Sequence, residues 1–583
     1  MSGDGVPAMA GRFDISGTLW QDRPTIGKPH PLSTLTVRWL APVAMAGLVM
    51  LPRLASPQFG LLDDGLTLQT GREVIGRWSS TLHLIPETGR FFPAYWLVYS
   101  AIFGLVGVRP LAFFTVNALL LAGLLAMLAR LVRWGGGTSL QAAVAAVLFA
   151  LCGPTIESFY TLSKAEPLQL TWIGVSLLAT AAAATKARRA RRAGLITLAA
   201  AALLFAHATK ETSVVLVPIS LSWLAIESWA GRERGAWARF AGTYVAVNVA
   251  AAAVFAALRW YYAPLGLAEG TYTRAYALHP AAVGAALFRI SAWLARDFTF
   301  LLPLLTVAVG SLVGGRQALR RPILYPCVWM AGWLAVYLPW PATFEYYLLP
   351  FAFGAAALAG TVVGDAWASR SCQHSVTRRR VAWSVLGASA ALWFVAIVNA
   401  SADARVQLAV DRANADLVDF LAGLPSGSRV VVNTRVNEYL LELPMHLSQI
   451  KRRSDIVVEH VTAAARTGPP ATDAFVVTAE MANKPGPTVR VALDEPGVRH
   501  DNTMLSAVLT GRAEPVYRAA QHAHLVELAL HRLLCRATVS PLIDATYCPS
   551  DRGVIDRRIF SYGWQVHRLI RPAADHGETR HDG

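Results

Sequence analysis

The chain has 583 residues, of which 54% are hydrophobic and only 15% are charged. Soluble proteins contain about 25% charged residues, so this composition excludes an ordinary soluble protein and indicates a polytopic membrane protein. The formal net charge is +16, but the arginine clusters lie between apolar segments, as they do in the cytoplasmic loops of membrane proteins. We therefore expect no nucleic-acid partner, and the sequence contains no nucleic-acid-binding motif.

The hydropathy pattern divides the chain into three parts. Residues 1–32 are polar and predict a flexible cytoplasmic tail rather than a cleaved signal peptide. Residues 33–400 contain recurring apolar segments of the length that crosses a hydrocarbon layer about 30 Å thick. These segments predict about 11 transmembrane helices, at residues 36–54, 111–131, 140–159, 168–184, 193–206, 213–229, 240–261, 290–313, 322–340, 346–364 and 381–399.

The positive-inside rule sets the predicted orientation. The segment at residues 93–108 is apolar and aromatic, but it is only as long as an interfacial or re-entrant segment. If it is not counted as a span, the basic clusters at residues 186–192 and 378–380 both fall in the cytoplasm. If it is counted, both fall outside. We therefore predict that residues 401–583 lie on the extracytoplasmic side of a bacterial inner membrane.

This last part has the character of a small soluble α/β domain, because short valine-rich runs alternate with helical patterns. The predicted helices are Leu417–Leu424 and Val516–Leu534, and the predicted strands are Arg429–Asn433, Asp455–Glu459, Ala474–Thr478 and Thr488–Ala492. Cys535 and Cys548 are the only cysteines of this domain. They either form a disulfide in an oxidising compartment or are two unpaired thiols.

Two adjacent carboxylates, Asp63 and Asp64, follow the first predicted span. Ionisable groups are costly at a membrane, so such a pair requires a functional or structural reason. The predicted topology brings polar groups from later loops to the same extracytoplasmic side. Convergent polar groups of this kind predict a binding site, and its candidates are Arg72, Arg90, Lys164, Glu166, His207, Lys210, Glu345, Tyr346 and Tyr347.

Three motifs in this order resemble those of the GT-C superfamily of membrane glycosyltransferases, which includes protein O-mannosyltransferases, the aminoarabinose transferase of lipid A and arabinosyltransferases. They are the Asp63-Asp64 pair, Ser163-Lys-Ala-Glu166-Pro-Leu168 and Glu345-Tyr-Tyr-Leu-Leu-Pro350. The resemblance covers about residues 36–400 and the order of a membrane domain before an outer domain. Glu166 departs from the pattern, because many relatives have aspartate there.

The resemblance implies a GT-C-like fold and an inverting transfer of a sugar from a polyprenyl-phosphate donor to an extracytoplasmic acceptor, which is a glycan, a lipid or a protein. An acceptor hydroxyl loses its proton as it attacks, so a carboxylate can act as general base. We expect Asp63 or Asp64 in this role, with Asp63 preferred. The alternative is that the pair caps a helix or binds Arg72. Glu166 is expected to orient the acceptor, to help hold a metal or to pair with Lys164.

Cations are expected to stabilise the departing lipid phosphate. The candidates are Lys164, Lys210, His207, Arg72 and Arg90. Two alternatives remain for Lys210, namely an ion pair with Glu211 and a snorkelling interfacial lysine. Tyr346 and Tyr347 either line the site or belong to an interfacial aromatic belt. No cofactor is required, although Asp63, Asp64 and Glu166 are ligands that a divalent cation accepts.

A transporter or flippase of a lipid-linked or envelope precursor is the competing hypothesis, with the same charges forming a translocation path. A non-catalytic assembly protein is a third. Transporters often contain matching halves and broken helices. The sequence shows no internal repeat, and its ionisable groups cluster at one mouth of the membrane domain. Both observations favour the enzyme.

Overall fold

The computed structural model describes residues 31–61, 64–83, 90–185, 188–229, 235–262, 279–313, 317–340, 344–368, 376–433, 437–460, 474–479, 513–522 and 561–569. The chain divides into two compact units, Met1–Ala41 and Pro42–Gly583. In the first unit, residues 31–41 are helical. The second unit contains all the elements that surround the candidate site.

The fold is mostly helical. Several helices begin with proline in their first turn, where its missing N–H group leaves no hydrogen bond unmade. The helices of the described residues are α1 (Pro31–Ala55), α2 (Asp64–Val74), α3 (Pro93–Val106), α4 (Pro110–Trp134), α5 (Ser139–Ala150), α6 (Gly153–Tyr160), α7 (Glu166–Ala184), α8 (Arg189–Thr209), α9 (Leu216–Trp229), α10 (Ala236–Tyr262), α11 (Pro280–Asp297), α12 (Leu301–Val313), α13 (Gln317–Ala335), α14 (Leu349–Ala368), α15 (Val376–Ala422) and α16 (Asn437–Gln449). Short 3-10 helices lie at Trp78–His83, Glu211–Val215 and Glu345–Leu348.

Within the described ranges, 7 helices are long and apolar enough to cross a membrane. Two bent pairs, α5 with α6 at 58° and α11 with α12 at 93°, raise this number to 9 if each pair is one span. The predicted spans at residues 36–54 and 322–340 fall on α1 and α13, which are not among these nine. The count of 11 therefore stays a prediction. Helix α3 is a shorter apolar helix, as its sequence predicted.

Helix α15 joins the apolar part of the chain to the C-terminal part, which the sequence predicts to be soluble (hereafter the soluble part). It has 47 residues and is therefore about 70 Å long. The sequence predicted a span at residues 381–399 and a separate helix at Leu417–Leu424, and this separation is wrong. Between Val381 and Ala422 there is no proline and only one glycine, so nothing interrupts the helix before Gly423.

A five-stranded mixed sheet follows. Its strands are β1 (Arg429–Asn433), β2 (Val457–His460), β3 (Phe475–Ala479), β4 (Ala513–His522) and β5 (Ser561–Leu569), in the spatial order β2-β1-β3-β5-β4. Strand β1 pairs in parallel with β2 and β3, whereas β5 pairs antiparallel with β3 and β4. The predicted strands at 429–433, 455–459 and 474–478 coincide with β1, β2 and β3. The predicted strand at 488–492 and both cysteines of this region lie outside the described residues.

The helix predicted at Val516–Leu534 is wrong where the structure describes it. Residues 513–522 form β4, because pairing with β5 satisfies their backbone groups and Tyr517 stacks on Phe420 of α15. Strand β5 was missed, although its alternating buried Trp564 and Val566 carry the period-two signal of a strand.

The sheet packs against the C-terminal half of α15. Leu417 and Leu421 of α15 form one buried cluster with Val430 of β1, Trp564 of β5 and Leu61, three residues before α2. Burying each such side chain contributes about 2 kcal/mol to stability. The soluble part of the fold is therefore packed directly against the segment that leads into Asp64.

Candidate active site

A cavity of about 160 Å³ lies beside the beginnings of α3 and α7. Among the described residues, its lining includes three cations, Arg90, Lys164 and Lys210, and one carboxylate, Glu166. The excess of positive charge among these residues favours an anionic ligand, and both phosphate and carboxylate groups form strong charged hydrogen bonds with such cations. The remaining lining residues are Leu66, Thr67, Phe92, Tyr95, Trp96, Ser163, Ala165, Tyr346 and Tyr347.

The charge in the cavity is organised by an ion pair between Lys210 and Glu166. Glu166 is the first residue of α7, and Lys210 directly follows the last residue of α8. The Nζ atom of Lys210 contacts Oε1 of Glu166, and the two residues are 7% and 1% exposed. Burial lowers the pKa of Lys210 to about 8, although the neighbouring carboxylate opposes this effect. Lys210 therefore pairs with Glu166, and Glu211 instead contacts Arg259.

The two tyrosines of the third sequence motif form an aromatic wall over these cations. Lys210 Nζ lies 4.1 Å from the ring centroid of Tyr347, and Lys164 Nζ lies 4.4 Å from that of Tyr346. The Tyr347 ring stacks in turn on Tyr337 of the segment after α13, with centroids 5.0 Å apart. Such cation–π contacts are worth about 1–2 kcal/mol where water is excluded. They hold the ammonium groups at the cavity without neutralising their charge.

Asp64 is the first residue of α2 and is 2% exposed. Its Oδ2 atom accepts a hydrogen bond from Gly60 N at 2.7 Å, and its Oδ1 atom accepts one from Ser163 Oγ at 2.5 Å. Ser163 lines the cavity, so Asp64 is connected to the cavity through this hydroxyl. Asp63 lies outside the described residues.

The surroundings of Asp64 suit a group that exchanges protons near neutral pH. The pKa of Asp64 is raised to about 7, mainly by burial. The charges of Asp411 and Glu442 add to this shift, and its hydrogen bonds from Ser163 and Gly60 oppose it. A general base works best when its pKa lies near the working pH. The described carboxylates that contribute to the shift, Asp411 and Glu442, come from α15 and α16.

Two predicted cations lie away from the cavity. His207 is fully buried on α8, where its Nε2 atom lies 3.3 Å from Asn248 Oδ1 and its ring stacks on Phe255. Arg72 is exposed on α2 and donates a hydrogen bond to Gln449 Oε1 at 3.0 Å. The structure thus brings Arg90, Lys164 and Lys210 together but not these two.

Glu345 points away from the cavity into a second buried cluster. Its Oε2 atom accepts a hydrogen bond from Arg296 Nη1 at 2.9 Å, and Arg296 also contacts Asp297 and Asp403. The cluster lies beside Gly153, where an added Cβ atom would collide with Glu345 Oε1. Its other charged members, Arg296, Asp297 and Asp403, were not predicted as site residues, although charged residues within or beside apolar segments are a recognisable signal.

Carboxylates of α15 and α16 near Asp64 were also missed. Asp411 of α15 forms a buried ion pair with Arg53 of α1 at 2.7 Å, and Glu442 of α16 accepts hydrogen bonds from the start of α2. No sequence spacing indicates these contacts, because they depend on how the helices pack. In the described part of the chain, no group of three or more His, Cys, Asp or Glu side chains is arranged to hold a metal ion.

The described fold is that of a multi-pass membrane protein with a polar, cationic cavity. No protein-family model and no curated protein matches the chain. Among solved structures it is similar to ArnT from Cupriavidus metallidurans bound to undecaprenyl phosphate, with 15% identity and a TM-score of 0.47 over 84% of this chain and 97% of that one.

It is also similar to the archaeal oligosaccharyltransferase AglB from Archaeoglobus fulgidus in complex with an inhibitory peptide and a dolichol-phosphate. Here the identity is 12% and the TM-score 0.49 over 92% of this chain and 89% of that one. Both proteins are GT-C glycosyltransferases, the class that the three sequence motifs resemble. At these identities and TM-scores, the similarity assigns no role to any residue of this chain.

Proposed function

We propose that this chain is a membrane glycosyltransferase that moves a sugar from a polyprenyl-phosphate donor to a hydroxyl of a cell-envelope glycan, lipid or protein. The observation that carries the proposal is the cavity in which Arg90, Lys164 and Lys210 lie beside Ser163, whose hydroxyl binds Asp64. This combination offers an anion-binding group and a proton acceptor at one place.

The donor phosphate binds between the three cations in this proposal. Charged hydrogen bonds from Arg and Lys to phosphate are about twice as strong as neutral ones. Glu166 holds Lys210 in position, and Tyr346 and Tyr347 cover the ammonium groups. Phe92 and Trp96, at the start of α3, give the beginning of the lipid chain an apolar surface.

The reaction is a single displacement. The acceptor oxygen attacks the anomeric carbon, the bond from that carbon to the phosphate oxygen breaks, and its electron pair leaves with the polyprenyl phosphate. The acceptor proton passes to Ser163 Oγ as the Ser163 proton passes to Asp64, so Asp64 is the base that ends protonated. One displacement inverts the anomeric configuration. Asp63 is the neighbouring carboxylate of the proposed site.

The proposed location is a bacterial inner membrane, with residues 401–583 and the cavity on the extracytoplasmic side. The positive-inside rule supports this orientation, because it places the basic segment at residues 186–192 in the cytoplasm. The proposal includes no required cofactor, since three cations of the chain itself can stabilise the departing phosphate.

A transporter or flippase is the second candidate, and one observation favours it. The breaks of both bent helix pairs meet at the buried cluster of Arg296, Asp297 and Glu345, because Gly153 begins α6 and Asp297 ends α11. Broken helices beside buried charges are typical of secondary transporters.

Two measurements together separate these candidates. A strain that lacks this chain is complemented with the wild type, with Asp64→Asn or with the control Asp419→Asn, whose carboxylate is 61% exposed on the soluble part. A transferase predicts that Asp64→Asn leaves the lipid-linked sugar unconsumed and its acceptor unmodified, as the deletion does, while the control restores both. Normal products with Asp64→Asn would overturn the base assignment.

The wild-type protein and the two variants are then purified and placed in vesicles that contain labelled undecaprenyl phosphate. Movement of this lipid between the leaflets that depends on the wild-type protein would favour the flippase. Binding of the lipid without movement would favour the transferase.

A further inference from the structure

Helix α16 of the soluble part contacts the first turn of α2, which carries Asp64. The carboxylate of Glu442 accepts hydrogen bonds from Gly65 N and from Leu66 N, the latter at 2.9 Å. The first N–H groups of a helix have no partner within the helix. A carboxylate at this end satisfies them and also complements the helix dipole. Glu442 therefore caps α2 from 377 residues away in the chain.

The contact is tight enough to require glycine at position 65. A Cβ atom there would lie 2.5 Å from Glu442 Oε2, 2.9 Å from His446 Cδ2 and 3.1 Å from Met445 Cβ. Glu442 itself is 2% exposed, so its charge is removed from water and committed to these N–H groups. At the other end of α2, Arg72 Nη1 donates a hydrogen bond to Gln449 Oε1 at 3.0 Å. Helix α16 thus holds α2 at both ends.

Helix α15 supports the carboxylate of Asp64 from a second side. Gly60 N donates to Asp64 Oδ2, and a Cβ atom on Gly60 would lie 2.9 Å from Asp411 Oδ1. Asp411 is held by its ion pair with Arg53. The backbone on both sides of Asp64 is therefore fixed by side chains that belong to α15 and α16.

We infer that Glu442 is a positioning residue, through which docking of α16 on α2 holds Asp64 against Ser163. This inference rests on the proposed function for its effect on transfer, but the docking itself is a separate structural claim. It assigns the soluble part of the chain a direct role in assembling the site. Movement of α16 away from α2 would release two N–H groups of the helix that begins with Asp64.

The test measures amide hydrogen exchange across residues 64–74 in the full-length protein in detergent. Glu442→Ala removes both acceptors, and Gly65→Ala separates the helices while leaving the charge of Glu442 in place. Both variants should exchange the α2 amides about tenfold faster or more, as expected for lost hydrogen bonds to a charged group. The control is Glu459→Gln, which alters a glutamate of the same soluble part that pairs with Arg429. It should leave α2 unchanged.

Protection of the α7 amides shows whether each variant retains its fold. If α7 keeps its protection and α2 exchanges at the wild-type rate in both variants, the inference is overturned. Glu442→Gln provides a milder change that keeps the side-chain size and one carbonyl acceptor. It should give an intermediate exchange rate.

The pH dependence of transfer gives a second test, because the loss of a purely structural contact would not shift its acidic limb. Among the described residues, the ionisable groups that face Asp64 are Asp411, Tyr99 and Glu442, with Arg53 behind Asp411 and His446 beside Glu442. Of these charged groups, Glu442→Gln removes only that of Glu442, which raises the pKa of Asp64, so the acidic limb of the profile should move to lower pH. An unshifted limb would overturn the positioning role.

The two proposals fail in different ways. Wild-type exchange in Glu442→Ala together with an inactive Asp64→Asn variant would overturn the docking and leave the function standing. Faster exchange together with a fully active Asp64→Asn variant would support the docking and overturn the proposed base.

Discussion

The hydroxyl of Ser163 donates a 2.5 Å hydrogen bond to Oδ1 of Asp64, which lies 99 positions away in the chain. Ser163 lines the cavity, whereas Asp64 is 2% exposed behind it. The hydroxyl is therefore the link between a buried carboxylate and any ligand in the cavity. In the proposed reaction, the acceptor proton reaches Asp64 through this atom.

The first prediction concerns this link. Ser163→Ala removes the proton path and also removes a hydrogen bond that holds down the pKa of Asp64. The pKa of Asp64 should therefore rise, the acidic limb of the rate profile should move to higher pH, and transfer should fall about 100-fold. The control is Ser158→Ala, since the buried Ser158 Oγ makes no hydrogen bond among the described residues. A normal rate profile for Ser163→Ala would contradict the relay.

The second prediction concerns stability. The pKa of Asp64 is raised from 3.8 to about 7, mainly by burial. Between these values the folded protein keeps a proton that the unfolded chain has lost. The stabilisation is therefore complete below about pH 4 and is lost as pH rises through about 7, by up to about 4 kcal/mol.

Asparagine stays neutral at every pH. Asp64→Asn should therefore unfold at a higher temperature than the wild type at about pH 8 and at a similar temperature at about pH 4. Thermal unfolding of the detergent-solubilised proteins measures this difference. The exposed Asp419→Asn control should follow the wild type. Equal stabilities of Asp64→Asn and wild type at both pH values would mean that folding does not raise the pKa of Asp64.

The third prediction tests the ion pair of Lys210 and Glu166. Lys210→Met should weaken binding of undecaprenyl phosphate about tenfold or more, because a charged hydrogen bond to phosphate is lost. It should also destabilise the fold by about 3–5 kcal/mol, since Glu166 remains buried without its partner. The double variant Lys210→Met with Glu166→Gln should recover stability but not binding. Lys451→Met, which alters a surface pair with Asp419, is the control.

The fourth prediction tests the buried cluster of Arg296, Asp297 and Glu345. Gly153→Ala places a methyl group where Glu345 lies, and Glu345 begins the 3-10 helix that carries Tyr346 and Tyr347. We expect a loss of undecaprenyl phosphate affinity of about tenfold, because the aromatic wall moves off its cations. Gly310→Ala on α12 is the matched control, since no atom lies within 4 Å of a Cβ added there. Equal affinities of the Gly153→Ala and Gly310→Ala variants would show that the cluster does not support the ligand-binding cavity.

The fifth prediction tests sidedness. Ser426→Cys lies in the exposed turn after α15, and Arg191→Cys lies on the exposed start of α8. A membrane-impermeant maleimide should label Ser426→Cys in intact cells and Arg191→Cys only after permeabilisation. The reverse pattern would place the proposed site on the cytoplasmic side. The wild-type protein, which carries neither substitution, measures the background labelling of the native cysteines.

The predicted site and the observed cavity share three cations, and local hydropathy explains why these were predicted. Arg90, Lys164 and Lys210 lie next to the ends of apolar segments, where hydropathy alone shows which loops share a side of the membrane. His207 and Glu345 lie next to similar segments, but helix rotation directs them to Asn248 and Arg296 instead. Hydropathy reports the depth of a residue in the membrane and carries no information on that rotation.

In the soluble part, the sequence predicted strands with a local signal but missed the pairing of distant segments. Strands β1 to β3 were predicted because short valine-rich runs are a local signal. Strand β4 was predicted as a helix, because its partner β5 lies about fifty residues further along the chain and local propensity does not include that pairing.

The amino-acid sequence by itself determined that apolar helices dominate residues 33–400, because local hydropathy and span length are set by consecutive residues. It also determined which loops carry the carboxylates and cations. Only the tertiary structure decided that Ser163 meets Asp64, that Lys210 meets Glu166 and that Glu442 caps α2. These contacts join residues 44 to 377 positions apart, so they depend on how helices pack and rotate rather than on any local pattern.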